Sequence, residues 1–236
     1  MLKKPLHRRL YEYVVEEIGL GIIKGDYKPG DTLPNEDVLC KQFDVSRGAL
    51  REATKLLAQK GLIRVRPKTG TVVQPSQEWN LFDAKILLWK LETGDRLDFL
   101  KKVTEVRRII ESQAVKFAAE RAGEADITSI RACYHKMEQA LKSEMDFNYE
   151  IYLQLDMAFH IQILNACHNE LLAKIGHTMR QAVVAARKAD IKDFEIHRDS
   201  LVYHLQMIDA IGNGDAEAAH QASESMFDQV LQHIPV

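Results

Sequence analysis

Cysteine is scarce: Cys40, Cys133 and Cys167 are the three in 236 residues. An odd number without Cys-x-x-Cys spacing supports neither a disulfide framework nor a cysteine-based zinc site, and it suits a reducing cytoplasm. Long apolar runs are missing too. No stretch approaches about eighteen uncharged apolar residues, and Met1 to Tyr13 carries Lys3, Lys4, Arg8 and Arg9 without an apolar core, so neither a membrane span nor a secretory leader is expected. With 12 glycines and 6 prolines there is no collagen-like repeat, and 46% hydrophobic residues exclude wholesale disorder. What remains is a globular chain with room for one small and one medium domain.

Net charge is also small, at -2, but it is unevenly spread. Residues 1–75 hold 14 Lys and Arg against 9 Asp and Glu, a surplus of 5 positive charges; residues 76–236 hold 18 against 25, a surplus of 7 negative ones. A basic N-terminal region favours a polyanion through counterion release, whereas an acidic remainder is repelled by phosphate. Chance is the competing explanation for a split of this size.

Within the basic region, Leu10, Val14, Ile18 and Ile22 recur every four residues and predict a helix over 7–24. Gly25 to Asp31 reads as a turn, and Asn35 is a suitable cap for a short helix running to Gln42. Ser46 is a second cap. Beyond it Ala49, Leu50, Ala53, Leu56 and Leu57 form one stripe while Arg47, Arg51 and Lys55 line another face. Two short helices joined by a few residues, the second presenting arginines, make a helix-turn-helix, although a surface helix with a basic edge has the same periodicity. Gly61 to Arg66 alternates apolar and basic residues, and Thr71-Val72-Val73 follows Pro67-Lys68-Thr69-Gly70, so a hairpin with a basic tip is expected. Placed there, it is either a wing that reaches DNA or a hairpin that closes the small core.

Residues 8–74 resemble the winged-helix DNA-binding domain of the GntR family of bacterial transcription regulators. The resemblance rests on Gly30-Asp31-Thr32-Leu33-Pro34-Asn35-Glu36, on Val45-Ser46-Arg47-Gly48-Ala49-Leu50-Arg51-Glu52-Ala53, on Lys60-Gly61-Leu62-Ile63 and on Gly70-Thr71-Val72-Val73. It implies that Ser46, Arg47, Gly48 and Arg51 meet base edges or phosphates of double-stranded operator DNA and that the tip residue Lys68 meets the minor groove or backbone. Asp37 stands where many members carry a DNA-touching arginine, so that contact is not expected. An arginine fork fits guanine and phosphate alike, and the sequence does not say which arginine reads and which anchors.

Residues 75–95 are read as a linker and linker helix, and 96–236 as an all-α bundle of six or seven helices, which makes the chain mainly α. Helices are expected near 81–92, 97–121, 125–142, 147–167, 169–188, 195–212 and 215–233, separated by Thr93-Gly94-Asp95, Ala122-Gly123-Glu124, His168-Asn169 and Gly212 to Asp215. Asp156 and His160 lie four apart in a stripe with Leu153, Ile163, Leu164 and Cys167, which points both inward. His204 shares a stripe with Leu201, Leu205, Ile208 and Ile211, and Arg107 is flanked by Val103, Ile110 and Ala114. A buried carboxylate requires pairing or a metal, so a polar cavity is expected, with donors suited to Zn, Ni or Mn.

Residues 98–230 are similar to the helical ligand-binding FCD domain of the FadR-like subgroup. The matching motifs are Glu105-Val106-Arg107-Arg108-Ile109-Ile110-Glu111, Asp156-Met157-Ala158-Phe159-His160, His204 to Ile211 and Gly214-Asp215. The resemblance implies a divalent metal on Asp156, His160 and His204, and a carboxylate effector gripped by that metal and Arg107. It also brings a departure: Met226 occupies the place of a further histidine ligand, and His220 cannot stand in, because six helical residues turn a side chain by about 240°. Either three residues hold the metal or they bond the effector directly. The segment from Trp79 to Asp83, with Trp89 beyond it, is similar to a linker of sugar-acid regulators such as those for galactonate; the alternative is that both tryptophans simply pack the linker helix onto the bundle.

The expected function is therefore a homodimeric regulator, read as a repressor, whose helical domain binds a small organic acid to control a palindromic operator. A metal-dependent enzyme on a helical scaffold and an effector-independent DNA-binding dimer are the alternatives. No general base, nucleophile or phosphate loop accompanies the three candidate ligands, which weighs against the enzyme.

Overall fold

A computed structural model describes residues 5–66, 70–93, 96–187 and 194–233. The chain divides into two compact units, residues 1–94 and 95–236.

The first unit carries α1 (Pro5–Lys24), α2 (Glu36–Phe43), α3 (Arg47–Gln59), β1 (Ile63–Arg66), β2 (Gly70–Val73) and α4 (Ala84–Glu92), with a single 3-10 turn at Ser76–Glu78. Both expected caps are formed. The Asn35 side chain accepts from the Val38 N–H and the Ser46 side chain from the Ala49 N–H, so each helix starts with an otherwise orphaned amide satisfied. Asp44, in the left-handed region at φ 51°, closes α2 and makes the tight turn into α3. The strands pair antiparallel, Ile63 opposite Val73 and Arg66 opposite Gly70, and Thr32 bridges Val72 on the far side. Val14, Ile18, Ala49, Leu50, Leu57, Leu62 and Val73 close a core in which Leu56, expected inside, is only partly buried.

The expected linker helix packs within the first unit. Ile86 and Trp89 of α4 are fully buried in this first unit's own core. Gly19 on α1 makes the space, since a Cβ there would lie 2.4 Å from the indole. Glu16 accepts from the Trp89 indole N–H at 2.5 Å and pairs with Lys85, which fixes α4 on α1.

The second unit holds six helices among the described residues: α5 (Arg96–Arg121), α6 (Glu124–Ala140), α7 (Tyr149–Ala166), α8 (Glu170–Arg187), α9 (Phe194–Asn213) and α10 (Ala216–Gln232). α10 packs on α5 and α9, α6 on α7 and α9, and α8 on α5 and α7. The core is built from Val115, Ile130, Met137, Phe159, Ile163, Met207, Ile208 and Phe227. Leu205, read as part of the His204 stripe, is 39% exposed; the bundle buries only the Met207, Ile208 and Ile211 side of α9. Arg108 on α5 bonds Glu224 and Asp228 on α10, and Ser112 bonds Ser223, so a polar seam runs beside the apolar contact.

Candidate functional site

The first unit presents α3 to solvent with its basic face open. Ser46, Arg47, Gly48, Arg51 and Lys55 are exposed, as are Arg64 and Arg66 on β1. Lys68, the expected wing tip, lies outside the described residues. One relationship was not foreseen. Arg47 bonds the Asp37 carboxylate at 2.7 Å, and Arg51 bonds both oxygens of Glu36 at 2.8 and 3.4 Å. Both pairs are solvent-exposed and therefore weak, so a phosphate or a guanine edge competes for the same guanidinium forks. The acidic pair at the start of α2 was visible as a helix-entry signal, but its reach to α3 depends on the crossing of the two helices.

The second unit surrounds a cavity of about 70 Å³ with residues from five of its helices. α7 contributes Tyr152, Asp156 and His160 at four-residue spacing, one above the other on a single face. α9 contributes His197, Ser200 and His204, α5 contributes Arg107, and α10 contributes Met226 and Gln229. All four residues expected at the effector site line this cavity. Sequence reading missed Arg180 of α8, which also lines it and is 3% exposed. No motif pointed to Arg180, and its burial is set by the packing of α8 on α5 and α7.

These groups form one buried electrostatic network. Arg107 donates to both oxygens of Glu111, one helical turn away, at 2.7 and 3.4 Å. Arg180 donates to Glu111 at 2.6 Å and to Asp156 at 2.8 Å. Two guanidinium groups thus compensate two carboxylates, which is what makes their burial tolerable. Burial alone would raise the Glu111 carboxyl, but Arg107 and Arg180 overcome it and bring it down to about 2. Asp156 is held well below the usual carboxylate range, burial again being outweighed, here by Arg180 and His160. Burial, with Arg180 as a second cause, pushes His160 down to about 4, so its imidazole is neutral at neutral pH.

The donor atoms of Asp156, His160 and His204 converge. Nε2 of His204 lies 3.2 Å from Nε2 of His160 and 3.3 Å from Oδ1 of Asp156, which is 3.6 Å from Nε2 of His160. The three donor atoms are within 4.8 Å of one another. Ligands about 2.0–2.2 Å from a tetrahedral zinc are separated by about 3.3–3.5 Å, so the spacing suits a divalent ion. The His204 tautomer suits it as well. Nδ1 of His204 lies 2.8 Å from the Ser200 carbonyl, which puts the proton on Nδ1 and leaves Nε2 a lone pair. Nδ1 of His160 lies 3.8 Å from a Glu111 oxygen, too far for a hydrogen bond, so either ring nitrogen can carry its proton. These residues fit the ion that the sequence motifs implied; Met226, buried at the same cavity, adds a thioether where hard ions prefer nitrogen or oxygen.

One wall of the cavity carries an unsatisfied group. The Tyr152 hydroxyl is buried and has no hydrogen-bond partner among the described residues. Ser200 lies within side-chain reach of it but is not aligned for a well-formed hydrogen bond, and donates its own proton to the His197 carbonyl at 2.7 Å. Burial pushes the phenol further up from its ordinary value, so it remains a donor at any physiological pH. An orphaned buried hydroxyl costs about 1–3 kcal/mol.

Two families match the two units separately. Residues 10–73 match the bacterial regulatory proteins of the gntR family, and residues 102–229 match the FCD domain. The galactonate operon transcriptional repressor of Escherichia coli is 30% identical over 217 residues, covering 91% of this chain and 92% of that protein. The chain belongs to the GntR family. Like the relatives it matches, this GntR regulator is a DNA-binding transcription regulator and not an enzyme. A second Escherichia coli relative, the Glc operon transcriptional activator, is 32% identical over 169 residues, 72% of this chain and 65% of that one. Among solved structures, a Streptococcus agalactiae GntR protein aligns over 94% of this chain and 99% of its own with a TM-score of 0.53 at 22% identity. The Listeria monocytogenes regulator Lar aligns over 98% and 97% with a TM-score of 0.62 at 21% identity. Both share the fold.

Proposed function

We propose that this GntR regulator is a homodimeric repressor whose helical unit binds a small organic acid, in the sugar-acid class, and thereby loosens its hold on a palindromic operator in the cytoplasm. The observation that carries the reading is the convergence of Asp156, His160 and His204 in a cavity that also contains Arg107. Two of the relatives are named for regulating galactonate and Uxu operons, which supports an acidic sugar as the effector class. In this reading Ser46, Arg47, Gly48, Arg51 and Lys68 contact DNA, Arg107, Asp156, His160 and His204 contact the effector, and the last three hold a divalent ion such as Zn, Ni or Mn. When bound, that ion supplies the positive charge that the balanced arginine and carboxylate network does not leave over for an anion.

A six-carbon acid held in this cavity bears on side chains from five helices at once. That gives binding a structural consequence, and an effector acts only through different affinities for the two arrangements of the protein. The test is operator binding followed by fluorescence anisotropy with a panel of sugar acids, with and without a chelator. Release by one acid supports the reading, and release lost on chelation assigns the ion a part in it. Operator affinity indifferent to every acid would refute the effector role.

A further inference from the structure

The cavity is graded along its length. Side chains of α7 and α9 meet in register: the Tyr152 ring packs against His197, tilted by 45° with centroids 4.8 Å apart, and His160 meets His204 at 5.2 Å. Eight residues of α7 thus keep step with seven of α9. One end holds Asp156, His160, His204 and Arg180; Tyr152, beside His197 and Ser200, lies further along the same two helices. Tyr152 precedes Asp156 by four residues, an advance of about 6 Å along the helix.

We infer that Tyr152 is the specificity-determining residue of the cavity, its hydroxyl donating to an oxygen carried about one helical turn from the ligand's ionised head. The inference rests on the effector reading above and goes beyond it, because it fixes both the chemistry and the length of the ligand. With that turn of helix between them, a ligand whose carboxylate sits at the Asp156 end must carry its hydroxyl several carbons away to reach the phenol. The ligand class is therefore a carboxylate of five or six carbons bearing a hydroxyl on its distal carbons, in preference to a short hydroxy acid or an unsubstituted fatty acid of the same length.

The buried position of the phenol supports this role. Tyr152 is 1% exposed and sits against Phe147 and His197, where the ring of a phenylalanine would make the same ring contacts. The hydroxyl makes no well-formed hydrogen bond among the described residues, Ser200 being within reach but misaligned. A buried donor that faces a cavity is placed to meet an acceptor there.

Tyr152→Phe separates this from a structural role. The experiment measures binding by calorimetry to the full chain, zinc-loaded and metal-free, using stereoisomeric six-carbon aldonates, hexanoate and glycolate as probes. At least one aldonate should bind the unsubstituted protein more tightly than hexanoate or glycolate does. Tyr152→Phe should weaken that aldonate about tenfold, leave hexanoate unchanged, and melt at the same or a higher temperature without ligand. Equal aldonate affinity in the two proteins, or glycolate as the best probe, overturns the inference while leaving an effector site in place. Failure of every carboxylate to bind the folded protein, in either metal state, overturns the inference together with the effector reading beneath it. A lower melting temperature of ligand-free Tyr152→Phe would make the hydroxyl structural and would also overturn it.

Discussion

Nε2 of His204 stands 3.2 Å from Nε2 of His160, and the carbonyl behind His204 directs its lone pair toward that meeting point. Two imidazole nitrogens and a carboxylate oxygen this close are held together by a shared proton or by a cation among them. Zinc or nickel should therefore raise the melting temperature of the helical unit, and His204→Ala should lower metal affinity by at least tenfold in a chelator competition. An unaltered affinity in the variant would place the metal elsewhere.

The pairing of Arg51 with Glu36 makes opposite predictions for its two partners. Arg51→Ala should weaken operator binding and, where Arg51 meets a phosphate, reduce the slope of log affinity against log salt by about one. Glu36→Gln releases the same guanidinium and removes a negative charge from the DNA face, so affinity for unrelated duplex should rise. A sodium chloride series read by anisotropy measures both, and an Arg51→Ala protein with the original affinity would contradict the contact.

Glu111 anchors both Arg107 and Arg180 while 2% exposed. Glu111→Ala leaves two buried cations with one carboxylate between them, and the loss of a buried partner costs about 3–5 kcal/mol. Urea unfolding of the second unit should show that loss, with the first unit's transition in place. Arg107→Ala should retain operator binding and lose release by the effector; retained release would remove Arg107 from the effector's contacts.

Acid should destabilise the helical unit in two stages of the same sign. His160, lowered to about 4, binds a proton in the unfolded chain before it does in the folded one, so its contribution is full above its ordinary value near 6.5 and declines as pH falls toward 4. Glu111, lowered to about 2, contributes fully above its ordinary value near 4.5 and loses its contribution as pH falls from there toward 2. Urea midpoints at pH 7.5, 6, 5 and 4 should fall steadily, and His160→Gln should flatten the upper part of the curve. A midpoint constant from pH 7.5 to 5 in the unsubstituted protein would mean that His160 is not buried neutral.

Gly19→Ala places a methyl 2.4 Å from the Trp89 ring. Overpacking of this kind costs about 1–3 kcal/mol. The shift should appear in tryptophan fluorescence during unfolding of the first unit, and an unshifted transition would show that α4 yields without cost.

Helix placement in both units was legible to within about three residues, because caps and four-residue apolar spacing are local properties of the chain. Asp156 and His160 were legible for the same reason, being one turn apart on one helix. Arg180 was not, since its partners Glu111 and Asp156 are 69 and 24 residues away. Nor was the attachment of α4: Trp89 was expected either in a linker signature or against the bundle, whereas the gap above Gly19 and the acceptor at Glu16 draw it into the DNA-binding unit.

Local rules thus determined the winged helix, the six-helix bundle, the basic face of α3 and the residue types available to a ligand. Tertiary packing decided which of those residues meet. It joined α5, α7, α8 and α9 around one balanced set of charges, turned two histidine nitrogens toward the same point and left the Tyr152 hydroxyl without a partner among the described residues. Side-chain spacing along a helix is fixed by 1.5 Å of rise and 3.6 residues per turn, whereas contact between helices depends on how whole apolar faces interlock, which no single segment encodes.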